Sequence, residues 1–222
     1  SDQNGNYNDV IAPNAVGTWS VQASWNGDDN HFGSSTSPIA FSVDPALCSV
    51  TFESNATGII ALVDGLNHSL PCSFTWLEGT AHAVIVEESH YFAEGGRYVF
   101  RRWDDGLQDR SRDIVVKDPA TYEAIFTTQY IASIKTGPNS SESERWYDEG
   151  VVIQLSVNST VISQGNASRL VFRGWSNNAS EPTINLTVNG PMAVEALWIR
   201  QFLLQVSSIY GHADGGGWYD EY

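Results

Sequence analysis

The residues with the clearest capacity for chemistry are two acidic doublets, Asp148-Glu149 and Asp220-Glu221, each following a Trp-Tyr pair. Paired carboxylates perform glycoside hydrolysis in many enzymes. Here the doublets recur at the interval that also separates Trp103 from Trp175, and a structural period of that kind assigns them to turns. Two further clusters, Asp28-Asp29 before Asn30 and Asp104-Asp105 before Gly106, have the oxygen-rich character of calcium loops. They lack the alternating Asp register of such loops, so solvated turns are the main expectation at Asp28, Asp29, Asp104 and Asp105, and calcium the lesser one. His31, His68, His82, His90 and His212 show neither HxH nor HxxxH spacing, so no other metal or cofactor is expected. No nucleophile elbow, metalloprotease helix motif or phosphate loop occurs, and the chain is not expected to be an enzyme.

Two modification chemistries are written more plainly. Asn-x-Ser/Thr sequons begin at Asn55, Asn67, Asn139, Asn158, Asn166, Asn178 and Asn185. With 15 Asn, 25 Ser and 13 Thr in the chain, chance predicts about three. The excess points to N-linked glycans on the surface loops of an exported protein, although a Ser/Thr/Asn-rich β-protein also raises the count. The only cysteines, Cys48 and Cys72, are too few for a four-ligand zinc site. In an exported chain they read as a disulfide pinning two neighbouring strands, with two buried free thiols as the alternative.

The elements that must carry these groups are strands. The 222 residues are 41 % hydrophobic and 12 % aromatic, too much packing material for a disordered chain. Lys occurs only at Lys117 and Lys135 and Met only at Met192, while Val, Ile, Thr and aromatic residues abound. A net charge of -15 repels phosphate and anionic lipid, which disfavours nucleic acid and membrane surfaces as partners. No apolar run reaches the roughly 20 residues of a membrane helix, and the first residues do not read as a signal peptide.

Self-comparison organises the chain. Phe100-Arg101-Arg102-Trp103 recurs as Phe172-Arg173-Gly174-Trp175, Glu123-Ala124 as Glu195-Ala196, and Trp146-Tyr147-Asp148-Glu149 as Trp218-Tyr219-Asp220-Glu221, all at one constant interval. An earlier copy, Phe74–Gly79, is one residue out of step. Period-two alternation broken every 8–12 residues is the pattern of a small sandwich, with Trp103 and Trp175 as inward anchors. Most of the eight Trp recur at repeat positions, which favours core packing over an exposed sugar platform.

The order of a WYDEG turn, a V-x-I-x-L strand, an FRGW strand and an EALW strand over residues 45–222 resembles the divergent β-repeats of bacterial and archaeal surface proteins, similar to internalin B-repeats. Residues 1–44 resemble the terminal hairpin of a bacterial Ig-like domain. The resemblance implies an all-β chain of tandem small Ig-like β-sandwich modules, incomplete at both ends: a hairpin at 1–44, repeat modules at 45–128 and 129–200, and the start of a further repeat at 201–222. Short linkers are expected near Val43–Ala46 and Thr127–Tyr130. Incomplete ends fit either an excerpt of a longer protein or completion by strands of neighbouring subunits. The expected role is structural, in an extracellular, cell-surface, archaeal assembly that self-associates or contacts neighbouring subunits, as a surface layer or filament. A carbohydrate-binding stalk or accessory module of a secreted enzyme is the alternative.

Overall fold

The computed structural model describes residue 13 and residues 15–222, and no α-helix occurs among them. The strands are β1 (Gly17–Val21), β2 (Ser24–Asp28), β3 (His31–Ser35), β4 (Ile39–Val43), β5 (Leu47–Ser54), β6 (Ile60–Val63), β7 (Leu66–Ser69), β8 (Cys72–Leu77), β9 (Ala81–Val86) and β10 (Ser89–Ala93). They continue as β11 (Gly96–Trp103), β12 (Ser111–Val115), β13 (Ala120–Lys135), β14 (Ser143–Asp148), β15 (Val152–Ser156), β16 (Val161–Ser163), β17 (Ser168–Trp175), β18 (Thr183–Thr187), β19 (Met192–Leu204) and β20 (Gly217–Asp220). The chain is all-β. No helix among the described residues is long and apolar enough to cross a membrane.

Two cores form, each between a pair of sheets. In the first, β10-β11-β13-β5-β8 faces β12-β9-β6-β7. Alternation drives the packing: Val50 and Phe52 of β5 turn inward beside Val84 and Val86 of β9, while Thr51 and Glu53 turn out. Trp103 is 0 % exposed, and its indole N–H donates to the Asp109 carbonyl at 3.0 Å. In the second, β16-β17-β19-β13 and β14 face the pair β15-β18. Its core gathers Ile153, Leu155, Phe172, Trp175 and Val194, and the Trp175 indole donates to the Glu181 carbonyl at 2.8 Å. Each tryptophan thus anchors the turn that follows its own strand, six residues on.

One strand belongs to both cores. β13 runs 16 residues without a break, placing Ala124 and Phe126 in the first core and Ala132 in the second. Its first half lies parallel to β5 (Val50↔Ala120) and its second half parallel to β19 (Ala132↔Met192). The linker expected at Thr127–Tyr130 is therefore not a linker: those residues are the middle of β13, because the inward–outward alternation passes from one core to the next without losing phase. β19 repeats the device. Its N-terminal half lines the second core, and its last residues pair with β20 (Gln201↔Asp220). The expected divisions at 128/129 and 200/201 both fall inside strands.

The N-terminal segment is built differently. β1 pairs with β4 and β2 with β3 as a nested hairpin, and residues 44–46 lead into β5. It contributes to neither core, and Phe32 is 100 % exposed. The part of the 1–44 reading that falls on residues 1–12 and 14 lies outside the described residues.

Candidate functional site: a repeated clasp across the shared strands

The outer face of the large sheet carries one polar constellation twice. At the middle of β13, Gln129 stands in register between Arg97 of β11 and Asp148 of β14, so all three side chains share a face. The Gln129 Oε1 accepts from Arg97 Nε at 3.0 Å and Nη2 at 2.8 Å, and its Nε2 donates to Asp148 Oδ1 at 2.7 Å. Arg101 reaches the same carboxylate, with Nη2 at 2.6 and 2.8 Å from its two oxygens, and donates from Nε to Thr127 Oγ1 at 3.1 Å. The Arg97 guanidinium lies 4.2 Å from the Trp146 ring centre, a cation–π contact.

The clasp recurs in the next unit, at the interval already seen between Trp103 and Trp175. Arg169 Nε donates to Gln201 Oε1 at 2.8 Å, and Gln201 Nε2 donates to Asp220 Oδ1 at 2.7 Å. Arg173 Nη2 lies 2.7 and 2.6 Å from the Asp220 oxygens, and Arg169 sits 4.3 Å from the Trp218 ring. Local structure explains why arginine can do this from the next strand but one. The ladder slips between Phe100 and Arg102, and again between Phe172 and Gly174, leaving Arg101 and Arg173 as the extra residues of two bulges. A bulge twists the strand and re-aims its side chain.

The turn reading of the acidic doublets is corrected in part: Asp148 and Asp220 are the last residues of β14 and β20, and only Glu149 and Glu221 lie beyond the strands. Asp148 and Asp220 are acceptors in the clasps, and the hydrogen bond from Gln201, with Arg173 beside it, holds the Asp220 carboxyl below its usual range. Glu149 sits in the following turn, its backbone N–H bonded to the Thr128 carbonyl. Held by Gln201 and Arg173, the Asp220 carboxylate is a poor proton donor. Each ion pair is about half exposed, so its worth is modest and salt-sensitive. The clasp joins β11 to β14 and β17 to β20 across the strand each pair shares.

A second constellation went unseen in the sequence. Asp64 Oδ2 lies 2.7 Å from His82 Nδ1, and His82 Nε2 lies 2.9 Å from Thr80 Oγ1. The order carboxylate–imidazole–hydroxyl is that of a nucleophile relay. The Thr80 hydroxyl, however, donates to the Leu77 carbonyl at 2.7 Å rather than to the ring. The ring lies flat on Trp76, 3.6 Å between centres, and Asp64 Oδ1 also accepts from the Ala83 N–H. These contacts tie the β6–β7 turn to β9. The hydrogen bond from His82 holds the Asp64 carboxyl below its usual range. Asp64 and His82 are 18 residues apart, so no local pattern could reveal them.

The remaining expected sites resolve individually. The calcium candidates turn to internal donors: Asp28 accepts from the Asn30 N–H and His31, Asp104 from the Glu123 N–H, and Asp105 from the Leu107 N–H and Arg112. Asp29 is exposed, and among the described residues no three His, Cys, Asp or Glu side chains converge. The disulfide reading is corrected. Cys48 and Cys72 do lie on paired strands, but Cys48 stands opposite Trp76 and Cys72 opposite Phe52. Four positions along a strand is roughly 13 Å, well beyond bridging reach, and both thiols are free. Cys48 is buried, and burial pushes the half-buried Cys72 thiol up.

All seven sequon asparagines are exposed. Asn67 and Asn185 lie in β7 and β18, and Asn139, Asn158, Asn166 and Asn178 in turns and loops. Asn55 follows the end of β5. No protein-family model, curated protein or solved structure matches the chain.

Proposed function

We propose that the chain is a tandem array of small Ig-like β-sandwich modules forming a structural component of an extracellular archaeal assembly, a surface layer or filament, and bearing N-linked glycans. The observation that carries this reading is the clasp repeated at a constant interval across strands shared by successive units. Shared strands with bridging side chains suit a chain whose work is to hold units in fixed order. The exposed N-terminal hairpin, with Phe32 and Ile39 on its surface, supplies strands for complementation with a neighbouring subunit. Electron microscopy of native material, with intact mass on the same sample, tests the proposal. Regular filaments or sheets of glycosylated chain are the expected result; a monodisperse monomer that never assembles at high concentration overturns it.

A carbohydrate-binding stalk or accessory module is the second reading, favoured by one feature. Tyr91, 61 % exposed, meets Trp146 edge-on at 5.8 Å beside Arg97, an aromatic pair with a polar fork. Glycan binding lost in Trp146→Ala would favour this reading over the first.

A further inference from the structure

The seven sequons are not chemically equivalent. β5 leaves its parallel partner β13 at the pair Ala124↔Ser54. Two residues further along β13, Phe126 pairs with Phe100 on its other side, and its own N–H and C=O face the gap left by β5. The Asn55 side chain fills that gap. Its Oδ1 accepts from the Phe126 N–H at 2.8 Å, and its Nδ2 donates to the Phe126 carbonyl at 2.9 Å. The side-chain amide thus imitates one more residue of the strand, and Phe126, at the floor of the first core, has both backbone groups satisfied.

Two parallel bonds to one residue use the amide oxygen and the N–H on the same side as that oxygen. That hydrogen is the one a glycan replaces. The linkage is a secondary amide, which takes the trans form, so the sugar carbon stands opposite Cβ and beside Oδ1. The cis arrangement that would spare the bond is strongly disfavoured. Among the other six sequon asparagines, Asn185 alone bonds another described residue through its side chain, and it accepts through its oxygen from Gln154 at 3.4 Å.

We propose that Asn55 is a sequon in which sugar and fold compete for one hydrogen: folded chains are bare at Asn55, and chains modified there before folding cannot close the first unit. The inference rests on the glycoprotein reading above for its biological setting, though the competition itself is set by the Asn55–Phe126 geometry.

The test expresses the full chain in a secretory host that modifies Asn-x-Ser/Thr, then maps occupancy separately in total and in protease-resistant protein. Asn55 occupancy is expected to fall at least about tenfold below that of Asn67 in the resistant fraction. Trp103→Ala, which loosens the first unit, is expected to raise Asn55 occupancy in the total fraction. Full occupancy of Asn55 in resistant wild-type protein overturns the proposal, as does an Asn55 that stays bare in Trp103→Ala while Asn67 is modified. If no site takes sugar, the glycoprotein reading falls, and amide hydrogen exchange on unmodified protein decides the Asn55 claim separately. Phe126 is expected to exchange about tenfold faster or more in Asn55→Ala, which removes the acceptor of its N–H, and to stay protected in Thr57→Ala, which removes the sequon but keeps the amide. An unchanged Phe126 rate in Asn55→Ala overturns it.

Discussion

The two units follow one plan but finish their second sheet differently. In the first, β6 and β7 extend the sheet beyond β9, and Ile59, Ala61 and Val63 come with them into the core. In the second, a short loop at 136–142 connects β13 to β14 and the sheet stops at β15, whose Val152 faces outward at 60 % exposure. What the units keep in common is the tryptophan, the bulge, the clasp and the shared strand. The hairpin is an addition that deepens one core without altering the frame.

The largest test of that comparison is truncation of the two anchors. Trp103→Ala and Trp175→Ala, at 0 % and 1 % exposure, should each cost about 3–5 kcal/mol. The second unit, with its smaller core, should unfold first in urea followed by circular dichroism. Equal midpoints would mean that the hairpin adds nothing to its unit. A finer contrast uses one residue type in two settings: Val63→Ala in β6 should cost about 2 kcal/mol, and Val152→Ala on the open strand no more than about 0.5 kcal/mol.

The clasps should respond more weakly and to salt. Asp148→Ala, at a site 40 % exposed, should cost about 0.5–1 kcal/mol at low ionic strength, with most of the loss vanishing near about 1 M salt. Asp220→Ala should act in the same direction. Acid probes both regions at once. Asp64 and Asp220 have folded carboxyls held below the ordinary value of 3.8, so the unfolded chain binds protons more readily. Their stabilisation is full above that pH and drains away as pH falls through the lowered folded values; a urea midpoint that rises on acidification through this range would contradict it. The smallest effect concerns the free thiols: a strong reductant should leave the melting temperature unchanged, since no disulfide closes β5 onto β8.

The strand content was legible because it depends on short-range alternation, and the repeat marked Arg101 with Arg173 and Asp148 with Asp220 as equivalent positions, though not as partners. Once Arg101 and Asp148 recur as Arg173 and Asp220, shared geometry follows. The register of non-adjacent strands was not legible. Cys48 and Cys72 are neighbours in the sheet, yet a stagger of four residues separates them, and nothing in the local pattern marks that stagger. The seam between units was hidden for a related reason. Polar Thr127, Thr128 and Gln129 resemble a linker, but Thr127 and Gln129 are acceptors for Arg101 and Arg97 on the face of a continuous strand. Asn55 read as one acceptor among seven because its partner lies 71 residues away.

The unbroken β13 also decides how the chain would bear a pull along its length. Tension entering the first unit reaches the second through one extended backbone, flanked in parallel by β5 on its first half and β19 on its second. Hydrogen bonds beside a strand loaded along its own axis must slide and fail together, not open one at a time as in an unzipping hairpin. With no slack connector to straighten first, the array would respond as a stiff cable, its yield point set by the bonds along that one strand.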